Sequence, residues 1–186
     1  MDFSLSDHIR QHYSPYFQSP QAWALLEEHD CTILDSCLLA VRIHRIQRPL
    51  YLADVNAHKT MLDILAMIQK QICGCEIYYS AEIGKNFRLV HGLGTVIGSK
   101  SIIGDNCTIH QGVTLGTKYD PTTEKPRVGD GTIIYCGAKV LGNITIGKNV
   151  VIGANAVVTK DLPDGAVAAG VPARIIGTND GITYKA

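Results

Sequence analysis

The chain has no charge to spare in either direction: 17 Lys and Arg balance 17 Asp and Glu across 186 residues. No basic cluster stands out, which argues against a nucleic-acid footprint. It also lacks an apolar run of the roughly 18 residues needed to span a bilayer. The N-terminus, Met1-Asp2-Phe3-Ser4, has no positive start followed by an apolar stretch, so no secretory signal is expected. The six cysteines (31, 37, 73, 75, 107 and 136) are scattered. Cys73 and Cys75 form a CxC, but no second pair or histidine couple completes a zinc site. They read as reduced thiols of a cytoplasmic protein, with no metal expected. Glycine is nearly missing from the first 75 residues, which hold only Gly74 of the 18 in the chain. That asymmetry places a boundary there, giving segments 1–75 and 76–177 and a tail at 178–186.

What fills the second segment is a period. Aliphatic residues recur every sixth position in three runs: Ile77, Ile83, Leu89; then Ile97, Ile103, Ile109, Leu115; then Val128, Ile134, Val140, Ile146, Ile152, Val158. Several carry glycine next, as in Ile83-Gly84, Ile103-Gly104, Val128-Gly129 and Ile146-Gly147. Six is neither the 3.6 of a helix nor the bare 2 of a strand. It suits a chain that turns a corner every six residues with one aliphatic side chain inward per face, glycine giving the corner its backbone freedom. Stacked coils then bury a core that no single repeat could bury. The phase slips twice. Leu89 to Ile97 is eight residues and carries His91-Gly92-Leu93-Gly94; Leu115 to Val128 is thirteen and carries the polar stretch 117–127 with Pro121 and Pro126. Insertions in solenoids map to surface loops, often on the binding face, so 117–127 is expected to protrude as an arm.

The first segment reads as three or four helices. Ser19-Pro20 is a helix start, a capping residue followed by a proline whose missing N–H costs nothing there. Cys37 to Ile46 is an apolar helix expected to stop at Pro49. Met61, Leu65, Ile68 and Ile72 have amphipathic spacing, ending at Gly74. These helices are expected to cap the open end of the solenoid, which would otherwise expose strand edges, and to contact other subunits.

The hexad pattern resembles the left-handed parallel β-helix of the hexapeptide-repeat acyltransferases. The run 154–163, Ala-Asn-Ala-Val-Val-Thr-Lys-Asp-Leu-Pro, followed by 168–177, Ala-Ala-Gly-Val-Pro-Ala-Arg-Ile-Ile-Gly, is similar to the ending of acetyl-CoA-dependent members. Glu76-Ile77, Ile83-Gly84, His91-Gly92-Leu93-Gly94 and Gly137-Ala-Lys-Val-Leu-Gly-Asn143 most resemble the serine acetyltransferase branch. The likeness spans about residues 60–177. It implies a mainly β fold, a left-handed parallel β-helix preceded by a small α-helical domain. It also implies acetyl-CoA as co-substrate, no metal, and a homotrimer with active sites in clefts between copies, the helices pairing two trimers in the larger alternative.

For the site, the resemblance makes His91 the general base. A hydroxyl is a poor nucleophile at neutral pH, and imidazole has the unperturbed pKa suited to deprotonating it. Glu76, fifteen residues earlier, stands where the family places an aspartate that orients the imidazole. His110 is the rival histidine, expected to line the cleft. The match lays the pantetheine arm along Gly116, Cys136 and Ala154, puts Thr159 and Lys160 near the adenine and phosphates, packs Ala169 and Pro172 on the adenine, and gives Arg174 the 3′-phosphate. Cys136 is read as packing, without a nucleophilic role.

The acceptor side departs from the branch. Val90 stands where an acidic residue meets the substrate amine, Glu124-Lys125 where an Arg-His pair meets the carboxylate, and Tyr78-Tyr79 where a His-Pro pair stands. These changes favour a neutral hydroxyl acceptor, a sugar or small alcohol held by Val90, Tyr78, Lys125 and His110, with serine O-acetylation as the alternative. The chain ends in Ala186, where members that dock onto their cysteine-synthase partner carry isoleucine, so that partnership is not expected. A non-catalytic β-helix scaffold is the other function class; it would need neither His91 nor the ending at 159–174.

Overall fold

The computed structural model describes residues 4–31, 33–118 and 125–181. Four helices come first: α1 (Leu5–Tyr13), α2 (Pro20–Glu28), α3 (Ser36–Asp54) and α4 (Lys59–Ile68). Ser19 caps α2 as its sequence predicts, its hydroxyl accepting from the Ala22 amide at 3.4 Å. Asp35 caps α3 by accepting from the amides of Cys37 and Leu38.

Two helix boundaries differ from expectation. α3 does not stop before Pro49 but continues through it to Asp54. Ile46 and Leu50 are both fully buried on the two sides of the proline, and that burial holds the helix together across the lost hydrogen bond. At the end of α4 the backbone widens into a π turn, Gln69–Cys73, before Gly74 closes it in the left-handed conformation at φ 63°. A π turn slips the helical phase. Ile72, expected on the buried face, is 38% exposed as a result, while Cys73 is buried.

The solenoid runs as coils of three short strands. The first coil is β1 (Glu76–Ile77), β2 (Glu82–Ile83) and β3 (Arg88–Val90); the second is β4 (Val96–Ile97), β5 (Ile102–Ile103) and β6 (Thr108–His110). The third is β7 (Thr114–Gly116), β8 (Arg127–Val128) and β9 (Ile133–Ile134); the fourth is β10 (Lys139–Leu141), β11 (Thr145–Ile146) and β12 (Val151–Ile152). A last coil carries β13 (Val157–Val158) and the hairpin β14 (Ala166–Gly170) and β15 (Ala173–Thr178). Equivalent strands stack in parallel into three faces: β1-β4-β7-β10-β13, β2-β5-β8-β11, and β3-β6-β9-β12-β14 with β15 antiparallel at its rim. The hexad residues are those that point inward; Ile97, Ile109, Leu115, Ile134, Val140, Ile146 and Ile152 have no exposed surface. We number the edges of this prism by the turns: edge one joins the third face to the first, edge two the first to the second, edge three the second to the third.

Glycine after the hexad aliphatic works differently from the expected corner freedom. Gly84, Gly104, Gly129 and Gly147 are absent from the residues with positive φ, which come later in each turn and include Asn86, Asn106, Gly131 and Asn149. Their constraint is contact between coils. A Cβ on Gly129 would lie 2.7 Å from the carbonyl carbon and oxygen of Gly147. The same edge three carries a ladder of carboxylates: Asp105 accepts from the Lys85 amide at 2.7 Å, Asp130 from the Asp105 amide at 3.0 Å and Asp164 from the Lys148 amide at 2.7 Å.

The helices cap the first coil, as expected. Arg45 donates to the carbonyls of Ile83 and Gly84, Arg48 to that of Ser80, and the Gln69 carboxamide oxygen accepts from the Ile77 amide. The rim groups of the starting coil thus bond to side chains rather than standing as an open edge. Buried His44 belongs to this cap: its Nε2 lies 3.1 Å from the Ala81 carbonyl, so Nε2 carries the proton and the ring is neutral.

Two predictions follow from this packing. Burial, helped by the charges of Arg45 and Arg48, drops His44 to about 4 from an ordinary 6.5. Because the unfolded chain binds that proton first, stability is whole above pH 6.5 and falls as pH drops toward 4, by about 3 kcal/mol from this one group. Urea unfolding at pH 7.5 and pH 4.5 should show the loss, and His44→Gln should flatten it. Gly129→Ala should lower stability by about 1–3 kcal/mol, since only backbone could yield to the new methyl. Gly177→Ala, with nothing within 4 Å of the new atom, should be near neutral in the same thermal melts.

Candidate active site

His91 sits on a two-residue insertion in edge one. Leu93 O accepts from the Gly112 amide, Gln111 O from the Gly137 amide and Cys136 O from the Asn155 amide, each at 2.9 Å. Leu93, Gln111, Cys136 and Ala154 therefore stack in one column, and His91-Gly92 is the extra pair pushed out of it in the first coil. His91 is exposed and held at φ 59°. Apart from Lys100, the other non-glycine residues with positive φ are asparagines, the type that tolerates this region. An imidazole kept in that conformation points to a role for the side chain. The turn packs against the helical segment: a Cβ on Gly92 would lie 3.6 Å from the Cys37 sulfur of α3.

Val90 lies next to this turn, and in the strand register it stacks on His110. His110 is 9% exposed and stacks on the ring of Tyr135, with centroids 5.0 Å apart and planes 27° apart. Burial first, then the charges of His91 and Arg88, lower its pKa below the ordinary histidine value. His110 thus forms the wall beside the exposed His91. Tyr135 and Arg88 belong to this group, and sequence reading missed both. The signal was present in the two-residue alternation of β3, which sends Arg88 and Val90 out from the same face.

Glu76 begins the first coil beside the edge that His91 closes, but its carboxylate is engaged elsewhere. Lys70 Nζ lies 2.9 Å from its Oε1, and no contact joins Glu76 to His91. The π turn ending the helices brings Lys70 over the start of β1, where its ammonium pairs with the carboxylate expected to orient His91.

The other expected residues fall on two edges. Edge one and the end of the third face hold Cys136, Ala154 and Ala169, with Gly153 packing against Ala169 in the coil stack. The β14–β15 hairpin continues from there, Pro172 in its turn after a cis Val171–Pro172 bond and Arg174 paired with Ala169. Arg174 is exposed, and its guanidinium bonds the Ala173 carbonyl at 3.0 Å. Edge two holds the rest. Tyr78 follows β1, Gly116 ends β7 in register with Leu141, and Thr159 and Lys160 follow β13. Tyr78 and Tyr79 have hydroxyls 3.5 Å apart and rings 4.6 Å apart. Of the expected arm, positions 119–124, with Pro121 and Glu124, lie outside the described residues. Lys125 is described, and its ammonium donates to the Ser99 hydroxyl at 3.1 Å. Gly116, expected in one groove with Cys136 and Ala154, is separated from them by the whole width of the first face, because the hexad period repeats every edge and not one edge.

Among the described residues, no cluster of three or more His, Cys, Asp or Glu side chains is placed to hold a metal ion. No described helix is long and apolar enough to cross a membrane.

Comparison with known proteins adds the following. The family described as bacterial transferase hexapeptide (six repeats) matches residues 125–160. A serine acetyltransferase of Bacillus pumilus (strain SAFR-032) is 41% identical over 163 residues, covering 87% of this chain and 72% of that protein. Soybean serine acetyltransferase complexed with serine matches at TM-score 0.71 and 34% identity, over 75% of this chain and 56% of that one. A serine acetyltransferase in complex with CoA matches at TM-score 0.69 and 34% identity, over 92% of this chain and 66% of that one. The chain thus spans between about half and three quarters of these relatives.

Proposed function

Because the chain belongs to the serine acetyltransferase family, a branch of the hexapeptide-repeat acyltransferases built on the left-handed parallel β-helix, we propose that it moves the acetyl group of acetyl-CoA to the hydroxyl of L-serine. The observation that carries this is the likeness over 87% of the chain to a serine acetyltransferase. The sugar or small-alcohol acceptor expected from Val90 and Lys125 has no relative behind it among these matches, and serine, the alternative reading, is the better supported.

In the proposed mechanism His91 takes the proton from the serine hydroxyl as the oxygen attacks the thioester carbonyl. The tetrahedral intermediate collapses with loss of the CoA thiolate, which recovers the proton from the imidazolium. The exposed, projecting position of His91 lets it reach a substrate lying outside the prism. His110, its pKa lowered by burial and by the charges of His91 and Arg88, shapes the wall beside it. The small side chains of Cys136 and Ala154 leave edge one open to a thin pantetheine arm, which fits the expected groove. Ala169, Pro172 and Arg174 at its far end suit the adenine and 3′-phosphate.

Tyr78, Gly116, Lys125, Thr159 and Lys160 lie on edge two and cannot face His91 within one copy. A cleft between neighbouring copies, edge one of one against edge two of the next, would bring both sets together. Leu93 on edge one and Val96 at the start of β4 beside it, 64% and 37% exposed, supply apolar surface for such a contact. The assembly we propose is a homotrimer, with the helices as the surface for pairing two trimers. Docking onto a cysteine-synthase partner is not proposed.

His91→Asn tests the base. Asparagine keeps the left-handed backbone without strain, so folding should be unchanged while kcat falls at least a hundredfold and the KM for acetyl-CoA stays put. Retention of most activity would move the base elsewhere. CoA-thiol release should be saturable with L-serine and weak with neutral sugars; the reverse order would restore the sugar reading. Light scattering should find activity only in trimers or larger, and an active monomer would sink the shared cleft.

A further inference from the structure

We propose that Gln111 binds the donor, its carboxamide oxygen accepting from the amide N–H of acetyl-CoA nearest the thioester. The inference rests on the acetyl-CoA reading above and not on the choice of acceptor. Gln111 is the one long polar side chain in the edge-one column, whose other places hold Leu93, Cys136 and Ala154. Its backbone is fixed in the stack: its carbonyl accepts from the Gly137 amide, and the amide of Gly112 after it donates to Leu93 O, each at 2.9 Å. The residue is half-buried, and Oε1 is buried with no hydrogen-bond partner. An acceptor left so costs stability. Leu93, at the same place one coil below, shows that the column takes an apolar side chain of similar length. A carboxamide kept there against both tendencies points to a partner outside the chain.

The partner follows from height along the prism. Leu93 lies two residues after His91, and Gln111 stacks on Leu93, one coil spacing of about 4.8 Å further along. Cys136 is the next step. An arm that lies on Ala154 and Cys136 with its thioester at His91 passes Gln111 in between. Four bonds separate the thioester carbonyl carbon from the first amide nitrogen of the arm, an extended span of about one coil spacing. That N–H therefore comes level with Gln111. It is the donor that the orphaned oxygen lacks, and the rotatable torsions of glutamine let the oxygen turn out to meet it. An amide held there fixes how far the thioester reaches toward His91.

Calorimetry with acetyl-CoA tests this without any acceptor. Gln111→Leu should weaken the Kd by about tenfold. Gln111→Glu, which keeps an acceptor oxygen and loses the N–H donors, should hold it within about twofold. Without ligand, Gln111→Leu should melt no lower than wild type, since no bond to Oε1 is lost. The chemical signature comes from two short donors. N,S-diacetylcysteamine keeps the thioester and this amide alone, and O,S-diacetylmercaptoethanol has oxygen in place of the N–H. With L-serine as acceptor, wild type should prefer the first by about tenfold in kcat/KM, and Gln111→Leu should erase the preference. Where the short donors turn over too slowly to rank, the Kd for acetyl-CoA decides. A Gln111→Leu protein with unchanged Kd, with the preference intact, or with a melt well below wild type overturns the proposal. So does a Gln111→Glu enzyme that loses kcat at unchanged Kd, which would make Gln111 an N–H donor to the reacting carbonyl instead. A wild-type chain that binds no acetyl-CoA overturns the donor reading and this inference with it, whereas wild-type binding unaltered in Gln111→Leu overturns this inference alone.

Discussion

The distance between successive coils governs this molecule. Parallel strands stack at about 4.8 Å, and the five strands of the first face must keep that spacing from coil to coil. Gly129 and its equivalents on edge three permit it because a side chain there would meet the backbone of the next coil. The carboxylate ladder of Asp105, Asp130 and Asp164 holds the spacing by accepting amides from the coil beside each. With spacing and register locked, each position on a coil has a fixed neighbour above and below. A column such as Leu93-Gln111-Cys136-Ala154 is then a straight groove wall rather than a loop surface.

Against that regularity stand two departures, on which the proposed chemistry draws. The His91-Gly92 insertion pushes a histidine out of a column that is otherwise flush, and the backbone accepts a left-handed imidazole to do so. The excursion after Gly116 interrupts edge two and brings Lys125 back onto Ser99. One departure lies on each of two edges. The geometry of a triangular prism keeps them apart within a chain, so they meet only in the cleft between copies proposed above.

The helices do more than cover the open coil. Arg45, Arg48, His44 and Gln69 satisfy backbone groups at the rim of the first coil, and Cys37 lies against Gly92, next to His91. Placement of the histidine therefore depends on both halves. Lys70, from the π turn at their junction, sets the state of Glu76. A mutation in the helices can thus reach the site without touching it.

The hexad period determined the coils, the inward residues and the place of His91, because an aliphatic residue every sixth position admits one arrangement that buries them all. The caps at Ser19 and the capping role of the helices were legible for the same local reasons. The end of α3 was not, since whether a helix survives Pro49 depends on what Ile46 and Leu50 pack against. Nor was the exposure of Ile72, which the π turn decided. Tertiary structure alone settled which site residues share an edge: sequence distance runs around the prism, whereas contact runs along it. That is why Glu76 meets Lys70, why Gly116 parts from Cys136, and why Arg88 enters the neighbourhood of His110 by way of a strand register.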